Sequence, residues 1–292
     1  MTRKQKKMTA AIGIISGAVI LTTAALASYG TANGYQAGKD AALKLMENEN
    51  YTAECSVVLT TDGSETETFG VKELYDRNGD VVLNRVATQN NDVSKKFEEE
   101  YIQDGKSIDI TPYGTFVDFF ENSGAQIGLF DLGNIMTAQD RTRMQKYIRF
   151  GELLGDTLVG DLKNNVVYVA GDENTSTYEL SLNSVQIPEF INAGLSALVS
   201  SGNYKLDGIT LTGDPYISSL DLKFTVDKEG RLTDGTFKAA LDAEDEDGTA
   251  HSFGIDASLK LYDYGTTQPQ RIDISSLENV NDYTAGISNE HN

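Results

Sequence analysis

Few residues in this chain could perform nucleophilic chemistry. It holds two histidines, His251 and His291, and one cysteine, Cys55. A Ser-His-Asp or Cys-His arrangement needs a positioned general base, and His291 belongs to a polar tail, so only His251 could serve. His251 follows the turn signal at 247–248 and is predicted to be a solvated turn residue. We therefore expect no enzyme activity, no catalytic residue, no cofactor and no His-rich zinc site.

The lone cysteine also bears on stability outside the cell. One thiol cannot form an internal disulfide, so an exported domain would depend on its core alone. Strand side chains alternate, which places Cys55 on the same side as Tyr51, Ala53, Val57 and Leu59. This pattern predicts a buried structural thiol.

Oxygen ligands for calcium are the next candidates, and two acidic stretches deserve a test. Residues 76–80 place acids and an amide at calcium-loop spacing, but Val81 stands where the loop needs Gly and Ala87 where it needs Glu. Residues 242–248 also lack the spacing, because Ala243 falls in the first ligand position. Both are interpreted as hairpin turns, with a loose divalent-ion patch left open and no metal residue assigned.

The N-terminal region has the composition of an export segment. Residues 8–38 carry no charge. The basic side chains before them are Arg3, Lys4, Lys6 and Lys7. The apolar part, about twenty residues, is long enough to cross a hydrocarbon core of ~30 Å as a single helix with its N-terminus in the cytoplasm. The small-x-small pattern ending at Ala27 leaves cleavage and secretion as the alternative. No cysteine directly follows this apolar part, and we therefore expect no lipid anchor.

Charge limits the partners. Without the four basic residues of the leader, the chain has 20 basic and 44 acidic residues, a net charge of −24. A nucleic acid would be repelled, and so would an anionic lipid surface that binds by charge alone. Most of this charge is expected to serve solubility.

Residue periodicity predicts eleven strands and three helices. A period of two, with Asp-Gly or Asn-Gly turns at 62–63, 78–79 and 104–105, indicates a meander of five strands. These are 51–61, 66–76, 80–88, 95–103 and 106–120. Two further strands are 165–170 and 175–182, and four more are 204–212, 220–226, 232–243 and 252–261. A helical period predicts helices over 35–47, 137–162 and 187–202.

The fold class is therefore predicted to be α+β and mainly antiparallel: one large curved sheet resembling a half-barrel, with three helices on its apolar face. The chain divides into a basic tail (1–7), a membrane segment (8–28), a stalk (29–34), an extracytoplasmic domain (35–275) and a polar, disordered tail (276–292). The frayed part is expected to begin near residue 268.

This order of elements behind an export segment resembles the half-barrels of the lipoprotein-carrier and mycobacterial lipoprotein families (LolA-like and LppX-like) over residues 35–275. The stretches Leu158-Val-Gly-Asp-Leu-Lys-Asn-Asn165 and Ser184-Val-Gln-Ile-Pro188 are also similar to uncharacterised membrane-anchored proteins of Gram-positive bacteria. The carrier families bind acyl chains between sheet and helices. The chain departs from the mycobacterial lipoproteins because it lacks their lipid-bearing cysteine.

Three functional classes follow. The first is a non-catalytic, membrane-anchored extracytoplasmic domain that meets an envelope protein, a cell-wall polymer or a lipid. The second is a binder of lipid or another hydrophobic ligand. Its lining residues would be Met144, Ile148, Leu154, Ile191, Leu195 and Leu198, which are otherwise ordinary core. The third, an acid-dependent hydrolase, is disfavoured because no positioned partner is visible.

Overall fold

The computed structural model describes residues 33–91, 94–119, 166–187, 189, 192, 205–206 and 208–284. One helix, α1 (Asn33–Met46), precedes the strands. The first six strands are β1 (Asn50–Thr61), β2 (Ser64–Asp76), β3 (Val81–Asn91), β4 (Ser94–Gln103), β5 (Lys106–Thr111) and β6 (Gly114–Phe119). The others are β7 (Val167–Gly171), β8 (Thr175–Asn183), β9 (Lys205–Leu206), β10 (Ile209–Asp227), β11 (Leu232–Asp245), β12 (Ala250–Tyr262) and β13 (Val280–Asp282).

Strands β1 to β6 form a meander of successive antiparallel hairpins. The turns at Asp62-Gly63 and Asp104-Gly105 have positive φ at both residues, 53° and 78° in the first and 52° and 70° in the second. Tight hairpins need this left-handed backbone to match the twist of their strands, and Asp-Gly supplies it at low cost. The predicted hairpins at these turns are confirmed.

A second antiparallel run, β8-β10-β11-β12, lies in the other half of the chain. The two halves join where β1 pairs with β12, so that the sheet has the order β13-β6-β5-β4-β3-β2-β1-β12-β11-β10-β8-β7, with β9 paired to β10. All pairs are antiparallel except β13 with β6. The result is one open, curved, mainly antiparallel sheet, as predicted.

Register divides the sheet into two faces. The core face contains Tyr51, Ala53 and Cys55 of β1 together with their cross-strand neighbours, and it continues the apolar side of β8 to β12. Helix α1 packs on this side with Ala41 and Leu45 fully or almost fully buried. The burial of Cys55, 5 % exposed, confirms the predicted structural thiol.

The outer face is crossed by residues 263–284, which we call the C-terminal strap. Three side-chain amides on the outer face each form two hydrogen bonds with one residue of the strap: the side-chain NH2 donates to its backbone carbonyl, and the side-chain oxygen accepts from its backbone N–H. Asn50 donates to the Thr267 carbonyl (2.9 Å) and accepts from the Thr267 N–H (2.8 Å). Gln103 bonds Ile272 in the same way, at 2.8 and 2.9 Å.

The third amide is Asn84, which donates to the carbonyl of Gln270 at 2.9 Å and accepts from its N–H. Beyond these contacts the strap forms a 3-10 helix (Ile274–Ser276) and then β13, which extends the sheet beside β6. The prediction of a frayed tail from residue 268 is therefore wrong for residues 268–284. Side-chain amides of the sheet, rather than buried apolar side chains, fix this segment to the outer face. Its sequence therefore needs no apolar periodicity.

Two strand predictions also need correction. The segment 106–120 is a hairpin, β5 and β6, because the chain turns at Pro112-Tyr113 before Gly114, where φ is 136°. The break between the predicted strands 204–212 and 220–226 is absent: β10 runs through it, with register shifts against β11 and with Pro215 buried. A bulge tolerates the proline, which cannot donate to the ladder. With β13, the described residues therefore contain thirteen strands and not eleven.

Some predictions fall outside the described residues. The predicted membrane segment 8–28 does, and so do helix 137–162 and almost all of helix 187–202. Among the described helices, none is long and apolar enough to span a membrane. The first predicted helix, 35–47, is confirmed as α1.

The amide contacts of the strap lead to a stability prediction. N84A removes a buried side chain and leaves the Gln270 N–H and carbonyl without their partner, which should lower the free energy of unfolding by about 2 kcal/mol. Urea denaturation measures this loss, and hydrogen exchange should show faster exchange in 263–284. The matched control is N90A, an exposed asparagine on the same strand and face, which should change stability by less than about 0.5 kcal/mol. Equal effects of the two variants would contradict the proposed role of the strap.

Candidate functional site

A row of charged side chains crosses the core face of the first meander. Cross-strand register places Glu73 of β2 opposite Arg85 of β3, Arg85 opposite Glu100 of β4, and Glu100 opposite Asp109 of β5. Directly opposed residues of antiparallel strands share one face, so all four lie on the side that carries the core. We call these residues the charged row.

The centre of the charged row is a buried ion pair. Glu73 is fully buried and Arg85 is 7 % exposed. Arg85 binds Glu73 Oε2 through Nε (2.8 Å) and Nη2 (2.7 Å), and its Nη1 lies 2.5 Å from Glu100 Oε2. The Tyr51 hydroxyl donates to Glu73 Oε1 at 2.8 Å, so both oxygens of the buried carboxylate are bound. These hydrogen bonds and the ion pair offset the free-energy cost of burying the Glu73 carboxylate.

The pKa values of Arg85 and Asp109 are both raised, but for different reasons. Burial would lower the pKa of Arg85, but the Glu100 and Glu73 carboxylates more than offset this and raise it, which keeps the guanidinium charged. At the end of the row, burial and then the neighbouring Glu100 and Glu98 raise the pKa of Asp109 to about 7, against the opposing effect of Arg85. Asp109 therefore ionises at a pH well above that at which an aspartate side chain usually does.

Burial and Glu73 also raise the pKa of the Cys55 thiol to about 12. A thiol becomes nucleophilic as its thiolate, so this shift makes Cys55 inert at neutral pH. The surroundings of Cys55 therefore agree with the interpretation of this residue as a structural, unreactive thiol.

A second polar group lies beside Asp109. Ser107 is two residues away on the same strand, which puts its side chain on the same face, and it is 1 % exposed. Among the described residues, its hydroxyl is the buried side-chain group without a hydrogen-bond partner. Ser107 and Asp109 thus form a polar patch at the end of the charged row. Such an arrangement can accept a polar group of a ligand but offers no activated nucleophile.

The lining residues expected from the sequence cannot be placed against this surface. Met144, Ile148, Leu154, Ile191, Leu195 and Leu198 all lie outside the described residues. The described part of the core face that would meet them is apolar and includes Leu180, Leu182, Leu222 and Phe224.

His251 is more constrained than a solvated turn residue. Its Nδ1 lies 2.8 Å from Asp62 Oδ2, in the β1–β2 turn, and its Nε2 lies 3.4 Å from Asp245 Oδ2 at the end of β11. Hydrogen bonding to Asp62, and then to Asp245, raises the pKa of His251 despite the opposing effect of desolvation. The imidazole therefore bridges two hairpin ends, and both of its nitrogens face carboxylates.

The acidic stretches behave as turns. At 76–80, Asp76 accepts a hydrogen bond from the Asn78 N–H (3.2 Å), and Asn78 donates to Glu49. In the second stretch, Asp245 accepts from the backbone of Asp247 and Thr249 at 2.9 and 2.8 Å. Within the described ranges, no group of three or more His, Cys, Asp or Glu side chains is arranged to hold a metal ion.

The charged row was missed from the sequence, although a signal for it exists. Glu73 stands between Val71 and Tyr75, and Arg85 between Leu83 and Ala87, each in phase with the buried residues of its strand. A charge at a core-phase position on two successive strands predicts a cross-strand ion pair.

The buried ion pair can be tested by deleting its cation. R85A leaves the fully buried Glu73 carboxylate without its counter-charge and should cost about 3–5 kcal/mol of unfolding free energy. K72A deletes the neighbouring cation, which pairs with Glu54 on the exposed face, and should cost less than about 1 kcal/mol. Chemical denaturation of both variants decides, and similar losses would rule out a buried pair at Arg85.

Comparison with known proteins identifies no family. No protein-family model matches the chain, and no curated protein matches it. Among solved structures, the chain is similar to the crystal structure of LprF from Mycobacterium bovis, with 10 % sequence identity, 82 % of this chain and 94 % of that chain covered, and a TM-score of 0.29. At that score, the alignment assigns no function to the chain.

Proposed function

We propose that this protein is a non-catalytic domain held at the extracytoplasmic face of the cell membrane, where it meets another envelope component. The observation that carries the proposal is the position of α1. The helix begins at Asn33, five residues after the predicted membrane segment ends at Ser28, and it buries Ala41 and Leu45 in the core. An extended chain of five residues spans at most roughly 17 Å, so a retained segment would keep the sheet close to the bilayer.

Charge narrows the partner. The domain outside the membrane has a net charge of −24, which disfavours nucleic acid and strongly anionic polymers. An envelope protein with a neutral or basic surface, or a neutral cell-wall polymer or lipid, fits better. No step of this function needs a catalytic residue, and the described part of the core face presents buried or paired groups rather than an activated one.

The tether is tested by the mass of the mature protein. We expect the membrane fraction to contain the full-length chain, resistant to extraction by high salt, because the segment from residue 8 to residue 28 stays in the bilayer. Intact-mass spectrometry gives the answer directly. As a control, A27L removes the small residue that a signal peptidase would need, and it should leave the mass otherwise unchanged. A chain that begins at Ser28 and accumulates in the medium would refute the tether.

A second function, binding of a hydrophobic ligand on the core face, is favoured by one specific observation. Ser107 is buried with its hydroxyl unpartnered among the described residues, and it lies two residues from Asp109, whose pKa burial raises to about 7. A buried polar atom without a partner costs free energy unless something binds it. An amphiphile with its apolar part on the core and its polar end at Ser107 would supply the missing hydrogen bond.

Native mass spectrometry of the membrane-extracted protein tests the ligand. The wild-type protein should retain a lipid-sized adduct, and S107A should lose most of it because the hydroxyl that binds the polar end is gone. S258A, on the exposed side of β12, is the matched control and should keep the adduct. If S107A instead gains stability and keeps the same occupancy, or if no adduct is found, Ser107 has no role in ligand binding.

A further inference from the structure

We infer that β7 is the edge of the sheet that faces the membrane and that its exposed apolar side chains contact the lipid interface. The inference rests on the proposed tether, since it concerns how a tethered domain is oriented. Strand β7 lies at one end of the sheet and, among the described strands, pairs only with β8.

The side chains of β7 are unusually apolar for their exposure. Val167, Tyr168 and Val169 are 49, 58 and 44 % exposed, and all five residues of the strand are exposed and uncharged. Soluble proteins usually blunt such an edge with charged residues or proline. In a chain with 44 acidic residues, an uncharged exposed strand marks a surface that meets something apolar.

The opposite edge is built differently. Its last strand, β13, is Val280-Asn281-Asp282; the Asn281 amide donates to the Thr115 carbonyl of β6 (3.3 Å), and the Asp282 carboxylate accepts from the Thr284 N–H (2.8 Å). The two edges thus differ in chemistry, and only β7 has the composition of a lipid-facing strip.

The path of the chain puts this edge beside the membrane segment. At Gly34, near the start of α1, a Cβ atom would lie 2.9 Å from a Val166 methyl and 2.8 Å from the Tyr178 ring, so the helix begins in tight contact with the residue preceding β7. The predicted membrane segment ends five residues before α1. Roughly 17 Å of extended chain separates them at most, which brings β7 within reach of the bilayer surface.

The residue types suit a lipid interface. Tyrosine is enriched at the boundary between hydrocarbon and water, where its ring is buried and its hydroxyl stays wet. Tyr168 is held for this role by an edge-on contact with Tyr178, whose ring stacks on Phe224. Because the strip itself is uncharged, the lipid it fits is zwitterionic or neutral rather than anionic.

A protein strand is a poorer occupant. The ladder between β7 and β8 is interrupted between Tyr168 and Ala170, which leaves Val169 as a bulge. A bulge bends an edge strand and breaks the row of donors and acceptors that an added strand would need. Pairing of two copies through β7 would also bring two strongly acidic domains together.

The absence of tryptophan makes the test simple. The full chain holds no Trp, so Y168W creates a protein with one fluorophore on β7, and Y283W places one beside the opposite edge, where Tyr283 is 60 % exposed. Both variants are reconstituted as full chains into phosphatidylcholine vesicles that contain brominated lipid. We expect the emission of Y168W to be strongly quenched and shifted to the blue, and that of Y283W to match its emission in vesicles without bromine. V169W serves as a second reporter on β7 in case a larger ring disturbs the contact with Tyr178.

Flotation of the vesicles separates the two hypotheses. A full chain that does not float with the vesicles contradicts the tether itself. A chain that floats while Y168W and V169W stay as unquenched as Y283W overturns the orientation alone and leaves β7 as an edge for a protein partner. Equal quenching at both edges would also overturn it, since it indicates no preferred edge.

Discussion

The pairing of β1 with β12 is the interaction on which the rest of the structure depends. Most other pairs within the described sheet join strands that are close in sequence, whereas this one aligns Thr52–Thr61 with residues 253–262, about two hundred residues away. It turns two meanders into one sheet and makes β1 a central strand, which explains why Cys55 is buried opposite Leu259. Closing so long a loop costs entropy that grows only slowly with length, and ten residue pairs offset it.

Once β1 and β12 have paired, the polar groups of the sheet determine what can pack on each face. On the core face, Glu73 is tolerable because Arg85 and Tyr51 bind both of its oxygens. On the outer face, the polar groups are neutral: side-chain amides such as that of Asn84 form hydrogen bonds with the backbone N–H and carbonyl of the strap, much as a neighbouring strand would. Both follow from one constraint, that a buried donor or acceptor must be paired, and Ser107 stands out because its pairing is not visible in the described residues.

The sequence predicts the local part of this architecture well and the long-range part poorly. Asp62-Gly63 and Asp104-Gly105 have turn chemistry that works over four residues, so their hairpins could be predicted. The contact of the strap with Asn50 and Gln103 could not, because an amide that binds a distant backbone leaves no periodic signal. The partner of β1 was equally hidden, since several alternating strands offered the same apolar face. The charged row lies between these cases. The sequence shows that Glu73 and Arg85 are in phase with the buried residues of their strands, but only the register of the strands shows that they lie opposite each other.

The two ends of the described chain lie at opposite ends of the sheet, and this gives the domain a direction. Helix α1 starts against β7, while the strap finishes at β13 beyond β6. Twelve strands spaced by roughly 4.8 Å measure about 50 Å along the sheet, less whatever its curvature takes up. A short tether near β7 would thus carry the β13 edge tens of ångströms away from the lipid surface. Under the proposed tether, the apolar edge and the polar edge would therefore meet two different environments, and the polar edge would be the one available to a component beyond the lipid headgroups.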